Sequence, residues 1–568
     1  MARSKRTQAL LQFGLFCGIL LFVNIIGQAF YTHLDLTEEK RYTLTKPTIE
    51  LLEGLNDRIY IKVLLEGEFP AGFKRLQSET REMLRDFRVE NGNIEFEFEN
   101  PLEGSAQEVK ERQKALADEG IVPLNLRLNE QGATSQKLVY PTAIVRFGSN
   151  KVNVNLLENN SPTLSPDLAI NNSVSLLEYK LANAIKKVMS NKRPKVIFTK
   201  GHGELGPIQT KDLERSLNQF YDTDRLSLDS VVQIKPEDCD LLVVAKPTAP
   251  FSEQHKFVID QFLMNGGRIL WLIDRLNGDL DSLRGAVNFI PTDYPINLED
   301  MLFKYGVRIQ PDLIMDLECT KIPLQVGTVG NAPQFDLFKW FYHPAVQPSG
   351  KHATVKNMDR VELRFCSSID TIRTKTPVEK TVLLTSSKYS KLQFSPIDIN
   401  FRETVQLNPD PVKFNKGPQI TGLLMEGIFP SAYQFRVSEE MRAGLAQLGI
   451  QAKEQSVPTR QIVISDGDVA ANFIRDPEAK EWYPLGFNRF EKTTYANKDL
   501  LLNIVEYLID PNGVIEARTR EVKIRPIDEV KARNNALILR ILNIGLPLLF
   551  LALFALAFLF SRRRYYTS

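Results

Sequence analysis

The sequence predicts an α/β protein whose soluble part is held between two membrane-spanning helices. Two observations predict it. Uncharged apolar runs of spanning length stand near each end, at residues 10–30 and 541–560. Between them, short apolar strands alternate with amphipathic helices and glycine turns, the pattern of layered α/β domains.

The first run, LLQFGLFCGILLFVNIIGQAF, has 21 residues and no charge. That length crosses ~30 Å of hydrocarbon at ~1.5 Å per residue. Arg3, Lys5 and Arg6 precede it; Asp35, Glu38 and Glu39 follow. The positive-inside rule then puts the N-terminus in the cytoplasm. The second run, ILNIGLPLLFLALFALAFLF, ends at Arg562, Arg563 and Arg564, which puts the C-terminus there too. Both ends inside force residues of about 31–540 outside. The alternative for the first run is a cleaved signal peptide, with Gly27-Gln28-Ala29 as the small-x-small site. Signal cores are shorter, about 7–15 residues, so the span is the preferred reading.

Composition narrows the function. The formal net charge is +2, so no global basic excess points to nucleic acid. Of the cysteines, Cys17 lies in the first span. Cys239, Cys319 and Cys366 are widely spaced without any CxxC pair. Neither a zinc site nor a disulfide framework is indicated, although one disulfide among the three stays open.

The first soluble stretch opens with Thr45 at a helix cap and Pro47 in the first turn, where its missing N–H costs nothing. Residues 58–65 form an apolar strand. Phe73, Leu76, Met83, Leu84 and Phe87 recur at helical spacing over 73–90, Asn91-Gly92 stops that helix, and 94–99 is the next strand. This is a β-α-β unit with parallel strands. A hairpin over 140–156 around Gly148-Ser149-Asn150 completes a thioredoxin-like layout without the redox CxxC. Ser175 and Glu178 match a capping box for the following helix.

A doubly wound α/β unit follows: a strand at 195–200, a glycine loop, a helix to about Phe220, a strand at 240–246, a helix at 252–265, and a strand at 268–274. The alternation lapses for a β-rich stretch. A short helix at 297–305 closes on Gly306, and strands follow at 361–366 and 378–386. It resumes with a strand at 461–466 and a helix at 498–509. The chain therefore reads as a tail (1–9), a span (10–30), a thioredoxin-like domain (35–190), an α/β domain (192–280 and 460–512) with a β-rich insertion (281–459), a charged stalk (513–535), a span (536–560) and a tail (561–568).

Candidate chemistry sits after two strands. Gly201-x-Gly203-x-x-Gly206 fits the dinucleotide fingerprint in form, with Asp222 and Asp224 about 20 residues on. Pro207 removes one phosphate-binding donor, and a tight strand-to-helix turn is the alternative. His202 and Glu204 at a strand's carboxyl end suit an acid/base pair, or simply a polar loop with a satisfied histidine. Asp466 and Asp468 suit a hard cation, or a turn with a helix cap. Gly201, His202, Gly203, Glu204, Asp466 and Asp468 are thus the ligand-binding candidates. No catalytic residue, metal or cofactor is assigned. The five histidines lack zincin spacing, and no P-loop or GxSxG elbow is present. Any ATP-driven work must then draw on another subunit.

Taken in order, the segments RYTLTKPTIELLEGL (41–55), KVIFTKGHGE (195–204), FSEQHKFVIDQFLMNGGRILWLID (251–274), His343-Pro344 and IVISDGDVAAN (462–472) resemble the gliding-motility GldG family of Bacteroidetes. That family lies within the wider group of ABC-transporter auxiliary proteins, and the resemblance covers nearly the whole chain. It implies a bacterial inner-membrane subunit with a periplasmic domain, partnered by an ABC permease, a separate ATPase and a motility or envelope component. It also implies that the α/β unit is glutamine-amidotransferase-like (flavodoxin-like). That superfamily's enzymes place a cysteine on a strand-to-helix elbow. This chain has none there, so the expectation is a non-enzymatic accessory subunit. The alternatives are an envelope hydrolase using the 201–204 loop, or a purely structural linker.

Overall fold

The computed structural model describes residues 13–22, 43–130, 133–157, 166–190, 192–283, 288–330, 332–348, 350, 352–401, 404, 409–510, 513–519, 533 and 535–566. The chain forms two compact units, Met1–Arg520 and Glu521–Ser568.

The first sheet has four strands: β1 (Ile59–Val63), β2 (Ile94–Phe98), β3 (Thr142–Phe147) and β4 (Asn150–Asn155), in the order β2-β1-β3-β4. As the β-α-β pattern requires, β1 and β2 are parallel, while β3 and β4 form the expected hairpin. The helix Ala71–Glu90 joins β1 to β2. Its buried Phe73, Leu76, Thr80, Leu84 and Phe87 lie on one face, because three- and four-residue steps return to the same side. It stops at Asn91, whose side-chain amide donates to the carbonyls of Leu52 (2.8 Å) and Leu55 (3.1 Å).

The capping box predicted at Ser175 does not form. A helix at Pro166–Ser175 runs into a second at Leu177–Met189, whose cap residue is Leu176. Ser175 Oγ donates to the carbonyl of Asn172 instead. Glu178 is buried and accepts from Thr45 N (2.6 Å) and Thr45 Oγ1 (2.7 Å). A distant partner has taken the side chain that the local motif needed. Thr45 does precede the helix Lys46–Glu53, but it makes no side-chain cap bond within it.

The second sheet has seven strands: β5 (Lys195–Lys200), β6 (Asp222–Ser227), β7 (Leu241–Ala245), β8 (Ile269–Leu272), β9 (Val378–Thr385), β10 (Ile420–Gly427) and β11 (Thr459–Ile464). Their order is β9-β10-β11-β8-β7-β5-β6. The five strands from β11 to β6 are parallel; β10 and β9 run antiparallel at the edge. Every residue of β7 and β8 is buried, as a parallel sheet covered on both faces requires. Leu241 and Val243 face a core with Leu213, Leu217, Leu500 and Ile504. Leu242 and Val244 face another with Val258, Phe262 and Met301.

Residues 281–459 thus lend β9 and β10 to the central sheet. They also carry the long hairpin Cys319–Val329 and Ala332–Val346. The strand expected over 361–366 shortens to Val361–Glu362, because the Arg364 N–H turns to the Asp466 carboxylate (2.7 Å) and Phe365 adopts a φ of 49°. The helix expected straight after the glycine loop begins only at Lys211 and ends at Leu217. Gly206 N donates to Gln209 Oε1 (2.7 Å), which makes residues 206–210 a turn of their own.

All four cysteines are free. Among the described residues one helix, Ala536–Ser561, is long and apolar enough to cross a membrane, with mean hydropathy 2.5. Phe13–Phe22 is a shorter apolar helix; the rest of the first predicted span lies outside the described residues. So does most of the predicted stalk. Its first part, Val514–Thr519, is a 3-10 helix with Val514, Ile515 and Ala517 buried in the core of the four-stranded sheet.

Candidate functional site

Because β5, β7, β8 and β11 are parallel, their carboxyl ends share one edge of the sheet, where open α/β folds bind ligands. The glycine loop follows β5. Gly203 adopts a φ of 74°, and a Cβ there would meet Thr248 Oγ1 at 2.0 Å, so only glycine fits. Thr248 and Ala249 N–H groups donate to the His202 carbonyl (2.8 and 2.9 Å).

The His202 ring is buried and stacks on Phe251 at 3.7 Å. Its Nδ1 lies 3.3 Å from Glu204 Oε1, and its Nε2 lies 2.9 Å from His255 Nδ1. His255 Nε2 in turn reaches Asp229 at 3.1 Å. Burial opposes the Glu204 charge, but hydrogen bonds from the His202 ring and the His202 N–H hold its carboxyl below the usual range. Both ring nitrogens of His202 are therefore engaged by protein, and the loop closes on itself. The next helix in sequence starts only at Lys211, five residues past Gly206, unlike the dinucleotide fingerprint, where the helix opens on the glycines.

Asp466 and Asp468 belong to a different constellation. After β11 the chain turns: Asp466 Oδ1 accepts the Asp468 N–H (2.7 Å), and a short 3-10 turn follows at Asp468–Ala470. Lys246, just past β7, reaches Asp468 (2.6 Å) and Asp274 (3.2 Å), the latter just past β8. Gly467 N donates to Asp274 Oδ1 (2.5 Å). A Cβ at Gly467 would meet Lys246 Cβ at 2.6 Å, so glycine lets these two loops touch. The insertion adds Arg364, which pairs with buried Glu362 (2.9 Å), while Asn488 Nδ2 donates to the other Glu362 oxygen (2.9 Å).

The charges are set by burial and by one another. Burial pushes Asp274 up to about 6, against the pull of Lys246. Burial and the neighbouring Asp274 and Asp468 push Asp466 well up from the usual carboxylate range. Burial also works against Asp468, but Lys246 and Arg364 keep it ionised and below the usual range. Burial opposes the Glu362 charge, but Arg364 holds it below the usual range. Burial presses His343 down to about 4, so it is neutral at pH 7.

This network floors a cavity of about 620 Å³, within the usual size of small-molecule sites. Lys246, His343, Glu362, Arg364 and Asp468 line it, together with several phenylalanines. Of the sequence candidates, Asp468 lines the cavity and Asp466 braces its turn from behind, while the 201–204 loop lies outside the lining. Lys246, Asp274, His343, Glu362 and Arg364 were not singled out as site residues. Lys246 and Asp274 had a signal: each is a charge ending an apolar strand. Glu362 and Arg364 had none, since only the fold brings the insertion over the sheet. Among the described residues no group of three or more His, Cys, Asp or Glu side chains is placed to hold a metal. Both Asp466 oxygens accept backbone N–H groups, and Asp468 Oδ2 meets Lys246.

Residues 193–504 match the model of the family described as an ABC-type uncharacterized transport system. The chain belongs to that family of ABC-transporter auxiliary proteins. Residues 38–146 match a domain of unknown function, DUF7088. No curated protein matches. Among solved structures the chain is similar to the mmIFT52 N-terminal domain, at 11% identity and a TM-score of 0.31, covering 56% of this chain and 98% of that one. It is also similar to the exo-β-1,4-mannosidase Op5Man5 from Opitutaceae bacterium strain TAV5, at 10% identity and a TM-score of 0.16, covering 44% and 33%.

Proposed function

We propose that this protein is a non-enzymatic accessory subunit, tied to the bacterial inner membrane at both ends, with its large domain in the periplasm. It works with an ABC permease and a separate ATPase in a system for gliding motility. In this reading the thioredoxin-like and amidotransferase-like domains bind a partner or substrate, and movement of the permease reaches them through the two tethers.

The observation that supports it is where the tethers land. Thr45, at the start of the soluble part, is clasped by Glu178 of the helix Leu177–Met189. At the other end, Arg518 lies over the Tyr179 ring at 4.9 Å, and Val514, Ile515 and Ala517 share that helix's core. The same helix is joined to the seven-stranded sheet, because Tyr179 OH (2.7 Å) and Asn183 (3.0 Å) both donate to Glu506 of the helix Asn497–Ile509. One helix therefore meets both tethers and both sheets.

The hydrolase alternative needs a reachable His202, and that ring is 4% exposed with both nitrogens engaged. Purification of the full chain in mild detergent tests the proposal. A permease and an ATPase should accompany it at fixed ratio; a chain that emerges alone contradicts it.

A further inference from the structure

The cavity at the carboxyl edge carries chemistry that the accessory role does not use. Arg364 gives one Nη2 contact to Glu362, and among the described residues its Nε and Nη1 have no acceptor. Arg489, exposed at the cavity wall, pairs with no carboxylate among the described residues. Its guanidinium sits over the rings of Phe473 (4.3 Å) and Phe490 (4.7 Å), and Arg364 lies over the same Phe473 ring at 5.1 Å. Two guanidinium groups thus meet one phenylalanine ring, each with donors left over. Stacking on aromatic faces fixes a guanidinium plane and leaves its fork free for a planar anion.

A second observation is independent of the arginines. His343 lines the same cavity, and its buried Nε2 has no hydrogen-bond partner among the described residues. Buried polar atoms without partners are uncommon and call for a specific explanation, such as a ligand group missing beside the site.

The remaining lining decides the class. Lys246, Lys321, Arg364 and Arg489 face Asp279, Asp281, Glu362 and Asp468, so the formal charges balance. With the lining balanced, a phosphate dianion would leave two uncompensated charges in the cavity where a carboxylate leaves one. A single carboxylate asks for less: one planar fork, bidentate, which is the geometry arginine matches best. Phe335, Phe365, Phe401, Phe473 and Phe490 provide apolar wall for the rest of the ligand.

We propose that this cavity binds a ligand carrying one carboxylate beside an apolar face, with the carboxylate seated on Arg364 and Arg489. A peptide C-terminus and an acidic sugar both present that chemistry. The inference rests on the cavity alone and stands whether or not a permease is bound.

Titration calorimetry on the detergent-solubilised full chain tests it. The probes are a short apolar peptide with a free C-terminus, the same peptide amidated, a hexuronic acid, its neutral hexose, and inorganic phosphate. At least one carboxylate should bind, ten-fold or more tighter than its uncharged counterpart; whether this is the peptide or the uronic acid identifies the source. Arg489→Gln, at an exposed position, should weaken that binding at least five-fold without moving the melting temperature. Arg364→Gln should weaken it further. Equal binding of acid and amide, tighter binding of phosphate than of either carboxylate, no binding of any carboxylate at millimolar concentration, or an Arg489→Gln variant that binds as the parent would each overturn the proposal.

Discussion

His343 shows how far a single side chain at this edge depends on burial. Folded, its imidazole is pressed down to about 4; unfolded, it titrates near ~6.5. The folded state takes up this proton less readily. The stability it contributes is therefore fully present above about pH 6.5 and is lost as the pH falls through about 4. The loss approaches about 3 kcal/mol at ~1.4 kcal/mol per pKa unit. Asp274 acts the other way, since its raised pKa gives stability that is present at low pH and lost as the pH rises through about 6. The difference between parent and His343→Gln isolates the histidine. Urea midpoints of the variant should fall less between pH 6.5 and 4, and an unchanged slope would refute the assignment. The cysteines give a second residue-level prediction. Cys239 and Cys366 are buried, and burial pushes the Cys239 thiol up to about 12. Maleimide added to the native protein should leave both unmodified, with labelling appearing only in denaturant. At this scale the sequence disclosed Asp466 and Asp468 because two carboxylates follow a strand. It hid Arg364 and Glu362, whose place depends on contacts about 100 residues away in sequence.

Among the elements, the helix Leu177–Met189 does the most joining. Glu178 is buried within it and accepts two hydrogen bonds from Thr45. Glu178→Ala should destabilise this part of the chain by roughly 1–3 kcal/mol, since the partly buried Thr45 N–H would lose its acceptor and the Thr45 hydroxyl would keep only Thr48 Oγ1, at 3.0 Å. Glu178→Gln, which keeps one acceptor oxygen, should cost less. Calorimetric melting of both variants measures this, and equal melting temperatures for parent and Glu178→Ala would show that the clasp adds nothing. Local pattern predicted the helix but misassigned Glu178 to a capping box, because Ser-x-x-Glu spacing is blind to a partner 133 residues away. The strands were more legible. β7 and β8 are continuous apolar runs, and the β1–β2 pair follows from the helix between them. The two antiparallel edge strands β9 and β10 were harder to place. Their own sequences fix strand character but not the sheet that they join.

For the whole molecule, the apolar helix Ala536–Ser561 and membership of an ABC-transporter auxiliary family set the frame. Within it, residues 43–53 and Val514–Thr519 are both gathered on the helix Leu177–Met189, the junction through which we propose the protein works. If so, residues 43–53, Leu177–Met189 and Val514–Thr519 form one cooperative unit and open together. Hydrogen exchange of the full chain in detergent measures this directly. The three segments should exchange at one common, slow rate, and Glu178→Ala should raise all three together. Exchange of 43–53 and 514–519 at the rate of an exposed chain, with Leu177–Met189 still protected, would contradict it.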